Sequence, residues 1–255
     1  MVSSSPKTII DFKNVRKVYK NGTVGLDNIN LQIPKGQFVV VVGLSGAGKS
    51  TLLRTINKMH DITDGSLKVG NAEINNYKGA ELRKLRRKIG MIFQDFNLVN
   101  RASVQKNVLA GRVGYYSTMK TILDLYSKED KEHAVRALKR VDMAQKMYTR
   151  ADELSGGQQQ RVAIARALMQ NPEIILADEP IASLDPKTTK TVMDILKRLN
   201  QEDDITVLVN LHSTKLAMDY ADRIIGLRDG KLVFDEMTKD IAIEDLNAIY
   251  QRGQA

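Results

Sequence analysis

The chain has 255 residues, of which 42% are hydrophobic and 27% are charged, and its formal net charge is +9. This balance is typical of a globular protein with a sizeable core, and it excludes collagen-like and fully disordered chains. Cysteine is absent, which excludes disulfides, thiolate zinc sites, iron–sulfur clusters and a cysteine nucleophile.

Alternating and apolar runs predict β-strands, and runs with helical periodicity predict α-helices. The predicted strands are Ile9–Val15, Leu26–Ile33, Phe38–Val42, Ser66–Ile74, Ile89–Phe93, Ile174–Ala177, Thr206–Leu211, Arg223–Leu227 and Lys231–Phe234. The predicted helices are Lys49–Lys58, Ser103–Val113, Lys128–Val141, Gly157–Met169, Lys187–Asn200 and Thr214–Ala221. We therefore predict one α/β domain over residues 1–255, with a strand-rich front at about 8–94, a helical subdomain at about 95–170 and an α/β core at about 171–255.

No stretch of the sequence has the character of a membrane anchor. The first residues lack the apolar core of a signal peptide. No apolar run approaches the roughly 18 residues that cross a bilayer, and Phe38–Val42 is typical of the longest. We therefore expect a soluble chain that reaches a membrane only through a partner.

Three predicted strands end in residues that carry polar chemistry. The strand ends are Val42 before Gly43, Ala177 before Asp178 and Glu179, and Leu211 before His212. In open parallel sheets, ligands bind outside the carboxyl ends of the strands. The sequence therefore predicts a ligand site at this edge of the sheet.

A P-loop pattern follows the third predicted strand and opens a helix, as that motif requires. Its glycines let the backbone curl so that successive N–H groups face a phosphate chain. Lys49 supplies a positive charge for the β- and γ-phosphates, and the Ser50 hydroxyl suits Mg²⁺, which prefers oxygen ligands. The motif is Gly43-Leu44-Ser45-Gly46-Ala47-Gly48-Lys49-Ser50-Thr51.

Asp178 and Glu179 are adjacent carboxylates at the end of an apolar strand. In P-loop enzymes an acid at this position holds Mg²⁺, and Asp178 fits that role. Glu179 is one residue later, so it is predicted to face the other way and to address the attacking water.

A second predicted helix whose N-terminus could bind a phosphate follows Leu154. Ser155 is a candidate N-cap, and Gly156 and Gly157 permit close approach of another backbone. The segment carries no lysine of its own. Its sequence favours a sensor that completes a phosphate site formed elsewhere, with a plain N-cap as the alternative.

The segment Leu154-Ser155-Gly156-Gly157-Gln158, taken with the P-loop, resembles the signature of the ATP-binding subunits of ABC transporters. Other pieces resemble that family in order along nearly the whole chain. They are Tyr19 as the adenine-stacking aromatic, Gln94 as the Q-loop residue, Ser183-Leu184-Asp185 as the D-loop and His212 as the switch histidine. The resemblance implies an ABC ATPase core with an N-terminal antiparallel β subdomain and an inserted α-helical subdomain.

The resemblance further implies that two copies face each other head to tail, with each ATP between one chain's P-loop and the other chain's Ser155, Gly156, Gly157, Gln158 and Asp185. It implies ATP and Mg²⁺ as cofactors, with Ser50, Gln94 and Asp178 at the metal and with Glu179, His212, Lys49 and Gln94 as catalytic residues. The implied partners are a membrane permease and an extracytoplasmic solute-binding protein, and the implied location is the cytoplasmic face of the cell membrane, peripherally.

Several further stretches look like those of the bacterial phosphonate-import ATPases. They are Gly43–Ala47, Phe96–Arg101, Asn107–Arg112, Asn210–His212 and Asp222–Leu227. This finer resemblance implies a translocase for phosphonates, with phosphate, phosphite or another small anion as the alternative cargo. One departure is that Gly25 replaces an alanine often seen in the family.

The densest basic run, Lys78–Lys88, leaves other classes of partner open. It could bind nucleic acid or anionic lipid, but it holds no aromatic residue for base stacking, so we predict a solvated helix face and no nucleic acid partner. A soluble ABC factor acting on ribosomes or nucleic acid has the net charge as its only support. The signature argues against a P-loop kinase or GTPase without a transport role, as does the absence of an Asn-Lys-x-Asp motif.

Overall fold

The computed structural model describes residues 7–116, 126–242 and 246. The strands are β1 (Thr8–Val18), β2 (Val24–Pro34), β3 (Phe38–Val42), β4 (Asp64–Val69), β5 (Ala72–Glu73), β6 (Ile89–Ile92), β7 (Ile174–Asp178), β8 (Thr206–Asn210), β9 (Arg223–Arg228) and β10 (Lys231–Met237). The helices are α1 (Lys49–Ile56), α2 (Gly79–Arg87), α3 (Val104–Leu109), α4 (Lys128–Arg140), α5 (Gly156–Leu168), α6 (Pro186–Asp203) and α7 (Thr214–Tyr220). None of these helices is both long enough and apolar enough to span a bilayer.

The chain divides into two compact units. The first takes the described residues up to Leu82 and those from Asn200 onward, and the second takes Arg83–Leu199. The α/β class with an N-terminal antiparallel sheet is confirmed. The single domain over 1–255, with its internal boundaries, stays a prediction.

The first unit contains two groups of hydrogen-bonded strands. An antiparallel sheet has the order β2-β1-β4-β5, and a second group has the order β10-β9-β3-β8. Strand β3 lies parallel to both β8 and β9, and all five of its residues are buried. A strand covered on both faces reads as a continuous apolar run, which is why Phe38–Val42 carries no polar residue.

One predicted strand of the first unit is divided by a turn. We expected a single strand over Ser66–Ile74, but β4 and β5 form an antiparallel hairpin in which Val69 pairs with Ala72. The turn residue Gly70 has φ +63°, a backbone conformation that glycine adopts without steric cost. The Gly70-Asn71 dipeptide is itself a hairpin signal, so the sequence contained the information for the turn.

The second unit contains the parallel pair β6–β7 and the helices between these two strands. Helix α5 has residues 162–165 all fully buried, which explains its apolar and alanine-rich sequence. The helix predicted over Ser103–Val113 is α3 followed by a 3₁₀ segment, Ala110–Tyr115. A Cβ on Gly111 would lie 2.2 Å from the carbonyl oxygen of Arg166, so only glycine permits this approach to α5.

The basic run forms helix α2, in which Leu85 is the only buried residue. The neighbouring cations Arg83, Lys84, Arg86 and Lys88 are exposed. The run therefore forms a helix with an exposed basic face, and the absence of a nucleic acid partner stays a prediction.

A buried ion pair joins the 3₁₀ segment to α4 in the second unit. The Arg112 guanidinium donates from Nε to Asp130 Oδ1 at 2.8 Å, and Asp130 is only 4% exposed. The Tyr116 hydroxyl donates to Asp130 Oδ2. The backbone N–H of Asp130 donates to the Oγ of Ser127, the N-cap of α4. Burial by itself would raise the pKa of Asp130, but the hydrogen bond from Tyr116 and the charge of Arg112 outweigh it, so the pKa lies below its usual value.

Replacing Asp130 by Asn is expected to lower the free energy of unfolding at pH 7 by about 1.5–3 kcal/mol, because a charge-assisted hydrogen bond is lost and Arg112 keeps its charge. A carboxyl whose pKa is lowered in the folded state stabilises above its unfolded pKa of about 3.9. The difference between wild type and variant should therefore shrink as the pH falls below that value. Urea unfolding at a series of pH values measures it.

The matched control is Asp152→Asn, because Asp152 forms an exposed ion pair with Arg150. Exposed pairs contribute little to stability, so this variant should unfold close to wild type at every pH. Equal behaviour of the two variants would contradict a stabilising role for the buried pair.

Candidate functional site

The P-loop joins β3 to α1 with glycine at the two positions where a side chain cannot fit. Gly43 has φ +146°, and a Cβ there would lie 2.3 Å from the Leu227 carbonyl oxygen. Gly48 has φ +104°, and its Cβ would lie 2.5 Å from the Gly25 carbonyl oxygen. Both the left-handed backbone and the close neighbours require glycine, so the motif's spacing has a steric cause.

Lys49 begins α1 and is only 4% exposed. Its ammonium donates to the carbonyl oxygens of Gly43 at 2.9 Å and Leu44 at 3.1 Å. The N-cap residue Gly48 supplies no side-chain hydrogen bond to the helix. A positive side chain and the N-terminal amides of a helix thus occupy one loop, which is an anion-binding arrangement.

Tyr19 lies beside the same helix start. Its hydroxyl is 2.9 Å from the Thr51 Oγ1, and its ring meets the His60 ring edge-on at 5.5 Å between centroids. A Cβ on Gly25 would lie 2.7 Å from Tyr19 Cε2, so the glycine leaves space that the ring occupies. No local pattern indicates the His60 contact, because the two residues are distant along the chain.

His212 follows β8 at the edge of the sheet where the P-loop begins. Strand β8 is parallel to β3 with Val41 opposite Asn210, and the Leu211 N–H donates to the Val41 carbonyl oxygen at 3.1 Å. Parallel strands place their carboxyl ends at one edge. The first unit therefore brings together the P-loop, Tyr19 and the exposed His212.

The second unit holds the other predicted residues, beginning with the two carboxylates after β7. Asp178 is 3% exposed, whereas Glu179 is half-buried. Glu179 has φ +51°, an uncommon conformation for a residue with a long side chain that costs on the order of 1–3 kcal/mol and is concentrated at functional sites. The two adjacent carboxylates therefore differ in both burial and backbone geometry.

Gln94 follows the neighbouring strand of the same unit. Strand β6 is parallel to β7 with Ile92 opposite Ala177, so Gln94 and the two carboxylates follow the same ends of paired strands. Gln94 is exposed.

Ser155 caps helix α5 through a capping box with Gln158. Its hydroxyl accepts from the Gln158 N–H at 3.4 Å, and the Gln158 Oε1 accepts from the Ser155 N–H at 3.2 Å. The predicted N-cap is confirmed. A serine hydroxyl has one donor and two acceptor positions, so the Ser155 O–H still has a proton to donate to an anion.

The two glycines after Ser155 differ in their surroundings. A Cβ on Gly157 would lie 2.1 Å from Thr188 Cγ2, whereas a Cβ on Gly156 would make ordinary contacts of 3.6 Å with Leu184 and Phe96. Gly157 is therefore needed for packing against α6. Within the described part of the chain, no comparable steric clash requires glycine at Gly156.

Asp185 acts locally as a cap for α6. Its Oδ1 accepts from the N–H groups of Lys187 at 3.0 Å and Thr188 at 3.1 Å. The hydrogen bonds from Thr188 lower the pKa of the carboxyl, so Asp185 remains an anion through the neutral range. This local role was not evident from the resemblance.

The metal donors predicted from the sequence fit a small, hard cation by their chemistry. The set is the Ser50 hydroxyl, the Asp178 carboxylate and the Gln94 side-chain oxygen, and Mg²⁺ prefers oxygen ligands and binds through one or two carboxylates together with substrate phosphates. Within the described residues, no group of three or more His, Asp or Glu side chains could hold a metal by itself. A metal that shares its coordination with a phosphate needs no such group.

Comparison with known proteins identifies the family. The family model described as ABC transporter matches residues 26–182. The phosphonates import ATP-binding protein PhnC of Bacillus thuringiensis subsp. konkukian is 61% identical over 242 residues, which are 95% of this chain and 94% of the relative. Its counterpart from Lactobacillus johnsonii is 59% identical over 245 residues, 96% of each chain.

A solved structure shares the fold at a TM-score of 0.79. It is a dimeric, post-hydrolysis state of an ATP-binding cassette bound to ADP and Pi, with 39% sequence identity over 91% of this chain and 100% of that chain. The sequence matches and the fold agree, and the chain therefore belongs to the ABC transporter family and has the nucleotide-binding fold of its cassettes.

Proposed function

We propose that this chain is the ATP-hydrolysing subunit of a bacterial ABC importer that energises the uptake of phosphonates. The observation that carries the ATPase part is the loop from Gly43 to Lys49, in which a buried ammonium lies at the start of a helix whose N-cap residue is glycine. The phosphonate part is supported by relatives of about 60% identity over nearly the whole chain that carry that name.

The P-loop binds the phosphate chain in this proposal. Lys49 turns from the carbonyl oxygens of Gly43 and Leu44 to the β- and γ-phosphates, while loop amides bind the remaining oxygens. The backbone of residues Gly43–Thr51 encloses the phosphates, and the ring of Tyr19 stacks on the adenine. Preorganised donors of this kind stabilise the charge that spreads over the transferred phosphoryl group.

Glu179 polarises the water that attacks the γ-phosphate, and ATP and water become ADP and phosphate. Ser50, Asp178 and Gln94 would hold Mg²⁺, which would supply positive charge beside the phosphates. His212 hydrogen-bonds to the γ-phosphate. The left-handed backbone at Glu179 fixes the start of its side chain, which suits a group that must orient one water molecule.

A second copy of the chain completes the site. The Ser155 O–H donates to the γ-phosphate held by the other copy, and the backbone at Gly156 and Gly157 approaches the same phosphate, with Gln158 and Asp185 beside it. One chain thus has two phosphate-binding helix starts because each serves a different ATP. Product release reopens the pair, and the cycle drives the permease.

The partners in this proposal are integral membrane permease subunits and an extracytoplasmic solute-binding protein, with no nucleic acid. The chain lies on the cytoplasmic face of the membrane as a peripheral subunit. The basic residues of α2 then form a solvated surface.

Replacing Tyr19 by Ala is expected to raise the ATP KM roughly 5- to 150-fold, because a stacked base contributes about 1–3 kcal/mol. Tyr19→Phe should change KM little, since it keeps the ring and loses only the contact with Thr51 Oγ1. Gly25→Ala should fall between them, because its Cβ displaces the ring from its place 2.7 Å away. Steady-state ATPase measurements give the three KM values.

The control uses a ligand without a base. Inhibition by inorganic tripolyphosphate should be the same for wild type and the two Tyr19 variants, since they leave the P-loop backbone unchanged. Gly25→Ala is not part of this control, because its Cβ would also lie 3.1 Å from Thr51 Cγ2 in the P-loop. Equal ATP KM values for wild type, Tyr19→Ala and Gly25→Ala would remove Tyr19 from the base site.

Growth of the source cells tests the cargo. Cells lacking this subunit should fail to grow on an alkylphosphonate as sole phosphorus source and should grow on phosphate. A plasmid copy of the wild type should restore growth, and the Glu179→Gln copy should not. Unimpaired growth on phosphonate, with no second importer encoded, would refute the cargo and favour phosphate, phosphite or another small anion, leaving the ATPase role intact.

A further inference from the structure

The loop after Gln94 has a left-handed backbone at two consecutive residues. Phe96 has φ +55° and Asn97 has φ +51°. Among the described non-glycine residues with positive φ, only Lys58, Phe96 and Glu179 are neither Asn nor Asp. The left-handed conformation costs an L-residue such as Phe96 roughly 1–2 kcal/mol, whereas asparagine adopts it more readily, so the strain of this turn lies at Phe96.

Arg166 of helix α5 supports this turn. Its Nη2 donates to the Phe96 carbonyl oxygen at 2.8 Å, and its Nη1 donates to the carbonyl oxygen of Asn97. Burial lowers the pKa of the guanidinium, and within residues 7–116 and 126–242 no carboxylate forms an ion pair with Arg166. The arginine therefore directs its charge at two carbonyl groups of a strained turn.

The same helix offers a contrast in Arg161. Its Nη1 donates to the carbonyl oxygens of Val141 at 3.2 Å and Asp142 at 3.3 Å, just beyond the end of α4. That is the common use of arginine near a helix C-terminus, where backbone carbonyls lack partners. Arg166 has the same chemistry and similar half-burial, but it holds an irregular loop that begins two residues after Gln94.

The Phe96 side chain connects this loop to two other segments of the second unit. A Cβ on Gly156 would lie 3.6 Å from both Phe96 Cζ and Leu184 Cδ2. The ring of Phe96 therefore lies beside Gly156, the residue that follows Ser155, and Leu184, the residue that precedes Asp185, lies beside the same glycine. Arg166 and Phe96 together link the Gln94 loop to the start of α5.

We propose that Arg166 is a positioning residue for ATP hydrolysis, which acts by holding the Phe96–Asn97 turn so that Gln94 stays in place. The inference rests on the proposed function and names a residue that the resemblance did not assign. Arginine suits this place because its planar fork holds two carbonyl groups in a fixed geometry, whereas a lysine ammonium is a point charge on a flexible stem.

A double-mutant cycle on the full-length chain tests the proposal. Arg166→Lys should lower the ATPase kcat about ten-fold, which is about 1.4 kcal/mol of barrier, and leave the Kd for ATP unchanged. In the Gln94→Ala background the same change should lower kcat by less than about two-fold, because the residue on which it acts is gone. Arg161→Lys should leave kcat within about two-fold of wild type in either background.

Each other outcome has a stated meaning. Equal fold-losses of kcat from Arg166→Lys with and without Gln94 would show a general effect on structure and overturn the proposal, as would an unchanged kcat. If Arg166→Lys does not fold, Phe96→Leu, which leaves the arginine in place, should lower kcat and show the same dependence on Gln94; additivity there overturns the proposal. A wild-type chain without ATPase activity would instead overturn the proposed function, and with it this inference.

Discussion

The Glu179→Gln protein is expected to hydrolyse ATP about 10²–10⁴-fold more slowly than wild type, because the amide cannot accept a proton from water. Its affinity for ATP should be unchanged, since Gln has nearly the same size and can hold the same backbone at φ +51°. Loss of kcat without loss of binding identifies an interaction made in the transition state. Single-turnover hydrolysis and equilibrium ATP binding measure the two quantities.

Two further variants test whether the effect is specific to Glu179. Glu173→Gln removes an exposed carboxylate that pairs with Lys88, so it should hydrolyse ATP like wild type. Asp178→Asn should weaken productive binding of the metal–nucleotide complex, because Asp178 is the buried carboxylate that we propose as a metal ligand. A Glu179→Gln protein within a few-fold of wild type would show that another group, His212 or Gln94, positions the water.

The Lys49→Met protein is expected to bind ATP about 10- to 150-fold more weakly, since a charge-assisted hydrogen bond contributes about 1.5–3 kcal/mol. The methionine occupies a similar volume, so the fold of α1 should persist. Loss of hydrolysis should follow from the loss of binding and of charge stabilisation. Equilibrium binding of ATP, with circular dichroism to monitor the fold, tests it.

Lys58→Met is the matched control for this change. The Lys58 side chain is also largely buried, and its ammonium donates to the Asn75 carbonyl oxygen at 2.5 Å and pairs with Asp61. Its loss should lower stability and leave the ATP Kd unchanged. Equal Kd values for the two lysine variants would mean that Lys49 does not bind the phosphates.

The sequence predicts which residues carry the chemistry more completely than it predicts their backbone conformations and contacts. The P-loop is recognisable because Gly43 and Gly48 must be glycine for steric reasons, and a steric requirement leaves a fixed spacing. The strand ends at Asp178 and His212 are recognisable because apolar strands stop there. Both signals lie within a few consecutive residues, and both predict elements that the structure contains.

The remaining features depend on contacts between segments distant in sequence. Nothing local indicates that Glu179 adopts a left-handed backbone or that Arg166 supports Phe96 from 70 residues away. The Ser155-Gly156-Gly157 pattern did not distinguish the packed Gly157 from the less crowded Gly156, because the neighbour Thr188 lies on another helix. The Asp185 cap of α6 also emerged only from the structure.

Sedimentation of the Glu179→Gln protein with and without Mg-ATP tests the central claim most directly, because the claim is that each ATP is held by two copies of the chain. Without nucleotide the protein should be a monomer of 28.5 kDa or a weak dimer. At saturating Mg-ATP it should sediment as a stable dimer, and Lys49→Met in the same background should prevent this. Persistent monomer of the Glu179→Gln protein at saturating Mg-ATP would contradict the shared site.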